Sequence, residues 1–254
     1  MERGNRISAY APWRQDVSLH WIDSEDTVRS EYEKYLIDES RFGEGHARII
    51  FFPESEEQIS AFLRRMSSES IPVTISAGRT GIVGGAVPPR GAILSTEKMN
   101  RILGLRFDYT TGEWLVRVQP GVILKDLHTK VERKEFRELL TCAGESEKED
   151  LKRFLEDPQR YFYPPDPTED SSTIGGNIAT DAAGARTYKY GSTRRFVRRI
   201  RVALANGDIL DIRRGQVFAG TGRTFEVQFS DGRCATVQLP SYSMPNVKNV
   251  AGYY

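Results

Sequence analysis

The pattern of apolar and polar positions is clearest in the first third of the chain. Residues 46–53, HARIIFFP, form a short apolar run that predicts a buried strand. The next apolar residues repeat at helical spacing: Ile59, Phe62, Leu63 and Met66. Ser55 and Gln58 form a capping-box pair, and we expect this helix to run to about Ser70. A second strand at residues 72–76 completes a strand–helix–strand unit, whose two strands should be parallel.

The pattern extends to both sides of this unit. Residues 1–20 show no period and are expected to form an arm. After Ser24, whose hydroxyl can cap a helix, four residues recur at helical spacing: Val28, Tyr32, Tyr35 and Leu36. Downstream, residues 92–95 and 114–120 predict two strands, separated by a charged turn at residues 108–113. A further helix then carries three apolar residues: Leu124, Leu127 and Val131.

A charged segment near residues 130–160 follows this helix. Its apolar residues predict two short helices around an Ala143-Gly144 turn: Phe136, Leu139 and Leu140, then Leu151, Phe154 and Leu155. The density of charge favours an insertion at the surface. The alternative is a lid or a partner-docking element.

Two hairpins are predicted near the C-terminal end of the sequence. Arg199 and Arg201 alternate with apolar residues, and an Asn206-Gly207 turn connects this strand to ILDIRR. A second hairpin spans residues 224–240, with Asp231-Gly232 at its turn. The arginines between residues 194 and 201 would suit nucleic acid, but their alternation favours one solvated face of a sheet.

Composition narrows the functional classes. The 254 residues carry 36 basic and 35 acidic side chains, a net charge of +1 that does not favour nucleic acid or an acidic membrane. No run approaches the roughly 18 apolar residues of a membrane-spanning helix, and we expect a soluble, cytoplasmic protein. Cys142 and Cys234 lie in no C-x-x-C context, so a disulfide framework is not expected. The three histidines share no metal-ligand spacing, and no metal is expected: His20, His46 and His128.

Two glycine-rich segments are the strongest functional signal. Residues 71–89 join an apolar strand to a loop with four glycines: Gly78, Gly81, Gly84 and Gly85. A second segment, residues 164–195, begins with prolines and continues with small residues. Successive N–H groups in a glycine loop can bind an anion, for which a diphosphate is the natural candidate. No Gly-Lys-Ser/Thr ends the first loop and no G-x-G-x-x-G opens a helix after a strand, so the common nucleotide motifs do not fit.

Five blocks in one order carry a family resemblance: SAGRTGIVGGAVP (residues 76–88), VQPGV (118–122), YPPDPTEDSSTIGGNIATDAAGARTYKYGSTR (163–194), RVALANGDIL (201–210) and MPNVKNVAGYY (244–254). Together they resemble the FAD-binding domain of the vanillyl-alcohol oxidase / p-cresol methylhydroxylase (PCMH-type) superfamily, in its D-lactate dehydrogenase / glycolate oxidase / 2-hydroxyglutarate dehydrogenase branch. The resemblance implies an α+β fold of two α/β lobes. The smaller would hold the strand–helix–strand unit, and the larger a mixed or antiparallel sheet.

This resemblance also suggests how the chain is divided. We expect an arm and helix at residues 1–44, a first FAD-binding lobe at residues 45–121, and a second at residues 122–254. Relatives continue into a substrate domain, so we expect a truncated form in which this C-terminal domain is absent. The second sheet should then have an exposed edge.

The resemblance implies a set of cofactor-binding residues. Those of the first loop are Ser76, Ala77, Gly78, Arg79, Thr80, Gly81, Gly84, Gly85 and Ala86. Those of the second segment are Asp166, Pro167, Ser172, Gly175, Gly176, Asn177, Thr180, Gly184, Tyr190 and Gly191. Pro120 and Gly121 would lie beside the flavin ring, although the spacing alone fits an ordinary turn. Asp181 stands where relatives usually have an asparagine, which puts a contact from that position in doubt. Arg79 stands where some relatives carry the histidine that attaches flavin covalently, so non-covalent FAD is expected.

The activity implied is oxidation of a 2-hydroxy acid such as lactate, glycolate or 2-hydroxyglutarate. In such relatives a base removes the hydroxyl proton while hydride passes to flavin N5, and an unidentified acceptor reoxidises the flavin. The base and the carboxylate-binding groups belong to the absent domain or a partner subunit, so no catalytic residue is assigned. Two alternatives stay open: another enzyme on the same platform, such as the reductase that forms UDP-N-acetylmuramate, and a non-catalytic assembly module.

Overall fold

The first sheet of the computed structural model, which describes residues 19–220 and 222–239, has four strands. They are β1 (Trp21–Asp23), β2 (Ile49–Phe51), β3 (Val73–Ser76) and β4 (Ala92–Ser95). Their order is β1-β2-β4-β3; β2 and β3 run parallel to β4, and β1 is antiparallel to β2. The predicted parallel arrangement is confirmed, with β4 inserted between its two strands.

The two helices of this region begin where their caps predict. In α1 (Glu25–Glu31), Ser24 Oγ accepts a hydrogen bond from Thr27 N at 3.2 Å. This helix ends at Glu31, before the predicted apolar residues Tyr32, Tyr35 and Leu36, and a 3₁₀ helix at Glu33–Tyr35 follows it. In α2 (Glu56–Ser68), Ser55 Oγ accepts from Gln58 N at 3.3 Å. Gln58 Oε1 accepts from Glu54 N at 2.7 Å, one residue earlier than in a standard capping box.

The strand β1 was not predicted. Residues 1–20 are expected to form an arm and no element is expected at residues 21–23, but Leu19 and Trp21 pack on the core that includes Phe62 of α2. The predicted arm itself lies largely at residues 1–18, outside the described residues.

A second core lies around an antiparallel hairpin, β5 (Ile102–Asp108) and β6 (Glu113–Val118). The turn at residues 108–113 was predicted, but β5 was missed, so that β6 was wrongly expected to follow β4. Two helices cover this hairpin: α3 (Leu124–Arg133) and α4 (Glu145–Glu156), with a 3₁₀ helix at Arg137–Thr141 between them.

The charged segment near residues 130–160 is built into this second core. Leu151 and Phe154 of α4 are fully buried, and the Phe154 ring lies 5.0 Å from that of Trp114 in an edge-to-face arrangement. The expected pair of helices around Ala143-Gly144 is present, with the first of them 3₁₀. The segment is therefore more than a surface insertion, because its apolar side chains complete the core.

The remaining elements are short. Two helices come first, α5 (Ile174–Ala179) and α6 (Thr187–Tyr190), followed by a 3₁₀ helix at Thr193–Phe196. Both predicted hairpins follow: β7 (Arg199–Ala203) with β8 (Ile209–Arg213), and β9 (Thr224–Gln228) with β10 (Cys234–Gln238). The expected larger sheet takes the form of separate two-stranded sheets, with one isolated bridge between Leu210 and Phe229. The block at residues 244–254 lies outside the described residues.

The β7–β8 hairpin docks on the first sheet's helix. Ser60 Oγ in α2 donates to the carbonyl of Gly207 at 2.5 Å, and Arg201 pairs with Glu56 at 2.6 Å. Gly207 has φ +82°, and a Cβ there would lie 2.4 Å from the Ser60 carbonyl oxygen. Contacts thus cross the predicted boundary at residue 121.

Among the described helices, none has the length and apolar character needed to cross a bilayer.

Candidate functional site

The two glycine-rich segments meet in the folded chain. The first loop leaves the carboxyl end of β3, and Gly78 lies against the second segment. A Cβ built on Gly78 would be 3.3 Å from both Ser172 Cα and Thr173 N. The preceding residue, Ala77, also contacts this segment, because a Cβ built on Gly176 would lie 3.4 Å from Ala77 Cβ. We call this junction of residues 76–78 with residues 172–177 the cradle.

A third segment, Pro120-Gly121, lies next to the cradle. The carbonyl of Pro120 accepts a hydrogen bond from Gly175 N at 2.8 Å, and Gly121 N donates to the Met99 carbonyl at 2.7 Å. A Cβ on Gly121 would lie 2.2 Å from the Thr96 carbonyl oxygen, so only glycine fits. The turn therefore joins the carboxyl end of β4 to the start of α5.

The first loop presents a series of free backbone donors. The N–H groups of residues 78–85 donate to no backbone or side-chain acceptor among the residues the structure describes. Gly81 and Gly85 are exposed, and a Cβ on either would meet nothing within 4 Å. The loop can therefore approach a ligand closely and direct several N–H groups at an anion.

Buried polar atoms without partners also lie at the cradle. Ser172 and Asn177 are each 5% exposed, and neither Ser172 Oγ nor Asn177 Nδ2 has a hydrogen-bond partner in the described part of the chain. Thr96 Oγ1, beside Gly121, is in the same condition. A buried polar group is normally paired, so these atoms fit a site that receives a polar molecule. Thr96 was not predicted, although its place directly after β4, at the carboxyl edge of the sheet, is a signal that could have found it.

The second segment folds back on itself beside the cradle. Pro167 and Gly184 form an isolated antiparallel bridge, and a Cβ on Gly184 would lie 1.8 Å from the Asp166 carbonyl oxygen. Asp166 pairs with Arg186 at 3.2 Å. Ala182 N donates to the Asn177 carbonyl at 2.8 Å, which connects this fold-back to α5. Asp166, Pro167 and Gly184 are thus brought together.

Other predicted site residues lie further out. Thr180 is exposed, and its hydroxyl donates to the Gly176 carbonyl at 3.0 Å. The Tyr190 ring packs against Phe162 at 5.6 Å between centroids. A Cβ on Gly191 would meet the Arg195 side chain at 2.8 Å. These contacts lie within the second segment or, for Phe162, just before it, and none of these contacts among the described residues joins Thr180, Tyr190 or Gly191 to the first loop.

Asp181 has a structural role in this segment. Its carboxylate accepts hydrogen bonds from Ser192 Oγ at 3.0 Å and from Arg194 N at 2.8 Å, and it pairs with the Arg194 guanidinium. Partial burial would raise the pKa of Asp181, but the hydrogen bonds and the Arg194 charge outweigh it and lower that pKa. An aspartate at position 181, where relatives usually have an asparagine, is thus explained by its contacts with Ser192 and Arg194.

The Arg79 side chain packs against Ser76, Ala77 and Tyr35. Its Nη1 donates to Ser76 Oγ and to the Ala77 carbonyl, each at 3.2 Å. Its guanidinium lies 4.5 Å from the centre of the Tyr35 ring, a cation–π contact. The residue has φ +59°, a conformation that favours glycine. Thr80 and Ala86, at the two sides of the glycines, are half-buried.

No metal site accompanies the cradle: the residues that the structure describes include no group of three or more His, Cys, Asp or Glu arranged to hold an ion.

Most of the arginines in the 194–201 cluster are paired with acids: Arg194 with Asp181, Arg198 with Glu113, Arg199 with Asp211, and Arg201 with Glu56 and Asp211. These pairs neutralise most of the charge that nucleic acid would need.

Comparisons with known proteins agree with this geometry. Residues 47–145 and 147–213 match the model of a family described as FAD binding domain. A D-lactate dehydrogenase of Anaerostipes hadrus is 37% identical over 172 residues, which are 67% of this chain and 30% of that protein. A D-2-hydroxyglutarate dehydrogenase of Xanthomonas citri pv. viticola is 30% identical over 201 residues, 78% of this chain and 36% of that protein. The chain thus spans about a third of the length of these relatives.

Solved structures show the same fold at low sequence identity. A 6-hydroxy-D-nicotine oxidase from Arthrobacter nicotinovorans aligns with a TM-score of 0.56 and 16% identity, covering 79% of this chain and 37% of that one. A chitooligosaccharide oxidase aligns with a TM-score of 0.53 and 14% identity, covering 73% and 33%. The matches confirm the α+β fold and the family resemblance expected from the sequence.

Proposed function

The chain belongs to the FAD binding domain family of the vanillyl-alcohol oxidase / p-cresol methylhydroxylase superfamily, and we propose that it is the cofactor-binding part of an oxidoreductase that oxidises a 2-hydroxy acid. The single observation that supports this most is the approach of Gly78 to Ser172 and Thr173. Segments far apart in sequence meet there, with N–H groups that have no acceptor among the described residues and with buried hydroxyl and amide groups. A dinucleotide diphosphate with its attached polyol chain has matching chemistry.

The cradle, the first glycine loop and the Pro120-Gly121 turn would each bind a different part of FAD. The N–H groups of residues 78–85 suit the diphosphate, because aligned backbone donors stabilise negative charge without a salt bridge. Ser172 and Asn177 would hydrogen-bond the ribityl and diphosphate groups through the atoms that have no partner among the described residues. Pro120 and Gly121 would lie at the flavin ring.

When bound, FAD would supply the hydride acceptor for oxidation of the substrate alcohol. The chain's own residues would hold the cofactor and orient it. We assign no catalytic residue among them. The base and the groups that hold the substrate carboxylate would come from sequence that corresponds to the rest of the relatives, in the same polypeptide or in a partner subunit. A second partner would accept the electrons.

We propose that FAD is held without a covalent bond. Residues 47–127 contain no histidine or cysteine, the side chains that attach flavin in some relatives. Arg79, at the corresponding place, packs on Tyr35.

Both cysteines, Cys142 and Cys234, are free thiols, which supports a cytoplasmic location.

The first experiment is to purify the protein and record its absorbance spectrum. We expect a yellow protein whose flavin is released as FAD by heat. Protein that is colourless and takes up no added FAD would contradict the proposal and favour a non-catalytic module. The substrate is tested on the full-length gene product, with D-lactate, glycolate and D-2-hydroxyglutarate and an artificial electron acceptor; reduction with none of these would contradict the proposed substrate class while leaving FAD binding intact.

A further inference from the structure

Residues 35–46 run along the side of the first glycine loop. This segment precedes the part of the chain that matches the family model, which begins at residue 47. Its contacts with the loop are distributed from Arg79 to Pro88. Near the end of this stretch, His46 N donates to the Pro88 carbonyl at 2.7 Å, and a Cβ on Gly45 would lie 2.6 Å from Pro88. The close packing at Gly45 admits no larger residue.

The middle of the segment holds the middle of the loop. Asp38 Oδ2 accepts a hydrogen bond from Ala86 N at 3.4 Å, and Glu39 N donates to the Arg79 carbonyl at 3.2 Å. The Phe42 ring covers Gly84, where an added Cβ would lie 2.7 Å from Phe42 Cδ2. These bonds engage the two ends of the loop. The N–H groups between them, at residues 80–85, keep no acceptor among the described residues.

Tyr35 anchors the assembly. Its side chain is 2% exposed, and its hydroxyl donates to Glu97 Oε2 at 2.5 Å. The Arg79 guanidinium lies 4.5 Å from the centre of the Tyr35 ring. Arg79 is held in a left-handed backbone conformation at the same time. Such a conformation persists only when its surroundings fix it, and here Tyr35 and Ser76 supply the contacts.

We propose that residues 35–46 form a clamp that holds the glycine loop in its FAD-binding conformation, with Tyr35 and Arg79 as the positioning pair. The inference rests on the proposed function for its cofactor. In physical terms, the clamp lowers the conformational entropy that the loop must lose on binding, because the loop is already ordered. Tyr35 and Arg79 thus act through the loop rather than by touching the reacting atoms.

The test uses trypsin on the intact chain without FAD. Cleavage between Arg79 and Thr80 requires the loop to open locally, whereas cleavage after the exposed Arg214 in the other half is an internal reference. Tyr35→Leu removes the aromatic face, and we expect cleavage at Arg79 to become about tenfold faster while cleavage at Arg214 changes little. Tyr35→Phe keeps the face and should rescue most of the protection.

A matched control separates the clamp from general destabilisation. Phe154→Leu truncates an equally buried aromatic residue in the second core. It should leave the ratio of the two cleavage rates unchanged. If Tyr35→Leu accelerates both sites equally, as an unstable protein would, the clamp is contradicted.

FAD affinity, measured by quenching of flavin fluorescence, provides the second readout. We expect Tyr35→Leu to weaken FAD binding by about tenfold and Tyr35→Phe by less than about threefold. Faster cleavage at Arg79 with unchanged affinity would overturn the positioning role. Failure of the unmodified protein to bind FAD would count against the proposed function, and against the clamp's cofactor role, whereas the cleavage ratio alone reports whether the segment orders the loop.

Discussion

Gly78 lies against Ser172 so closely that a Cβ on Gly78 would make a tight contact with the backbone of the second segment. We expect Gly78→Ala to separate the two sides of the cradle, because the new Cβ would lie 3.3 Å from Ser172 Cα and Thr173 N, which are backbone atoms. FAD affinity should fall by about tenfold or more, measured by titration of the flavin absorbance. Gly144→Ala is the matched control, since a Cβ there meets nothing within 4 Å and the residue lies outside the cradle and the glycine loop. Equal losses in both variants would argue against the junction.

Removing the Ser172 hydroxyl should affect stability and binding in opposite directions. Ser172 Oγ is buried and unpaired with any described residue, so Ser172→Ala removes a desolvated group and should leave the free energy of unfolding unchanged or raise it by up to about 1 kcal/mol. FAD binding should weaken at the same time. The control is Ser171→Ala, because Ser171 is exposed and its hydroxyl donates to Glu169 at 2.7 Å. Loss of stability without loss of binding in Ser172→Ala would assign that hydroxyl to the fold alone.

The backbone at Arg79 predicts an inverted order of two substitutions. Arg79→Ala removes the cation–π contact and leaves a side chain at φ +59°, whereas Arg79→Gly removes the contact and relieves the backbone. We expect the glycine variant to be the more stable of the two by about 1 kcal/mol, although glycine usually destabilises relative to alanine. Chemical denaturation with urea measures this difference. An alanine variant as stable as the glycine variant would mean that the loop adopts another conformation.

Asp211 gives the fold a pH dependence at acid pH. The hydrogen bond from Arg199 is the largest cause of its low pKa, about 2, with further stabilisation from Arg201. Because the folded pKa lies below the usual value near 3.9, this contribution is fully present above about pH 4 and is lost as the pH falls towards 2. The arginine side chains are partly exposed, which limits the contribution to about 1 kcal/mol or less.

The comparison that checks this is unfolding of the natural sequence and of Asp211→Asn at several pH values. The difference in free energy of unfolding between them should shrink as the pH is lowered from 5 towards 2. A difference that does not change with pH would mean that the Asp211 carboxylate is not held ionised by the two arginines.

Local signals in the sequence were enough for the helix α2 and both C-terminal hairpins. Ser55, the apolar stripe of α2 and the Asn-Gly and Asp-Gly turns each specify their structure within a few residues. Strand β5 was missed because Gly104 interrupts its apolar alternation and the pairing register shifts between Ile102 and Gly104. Strand β1 has only three residues, too few for a period to show.

The cradle was predicted as two separate glycine-rich segments, and their meeting was inferred from resemblance. Spacing alone does not specify that Gly78 contacts Ser172, because the contact is made by tertiary packing. The same holds for Tyr35 and Arg79, whose contact depends on how residues 35–46 pack along the side of the glycine loop. Thr96 has no motif of its own, and only the strand end before it suggests a place at the site.

The attachment of the Asn206-Gly207 turn to α2 joins the described parts of the two predicted lobes, divided at residue 121, at a point outside the cradle. The lobes are also joined at Pro120 and Gly175. Two lobes that are joined at a single point can rotate about it, but a second connection through other residues opposes such a hinge. Stopped-flow mixing with FAD should accordingly give one exponential phase whose rate rises linearly with cofactor concentration, instead of levelling off at the speed of an opening step.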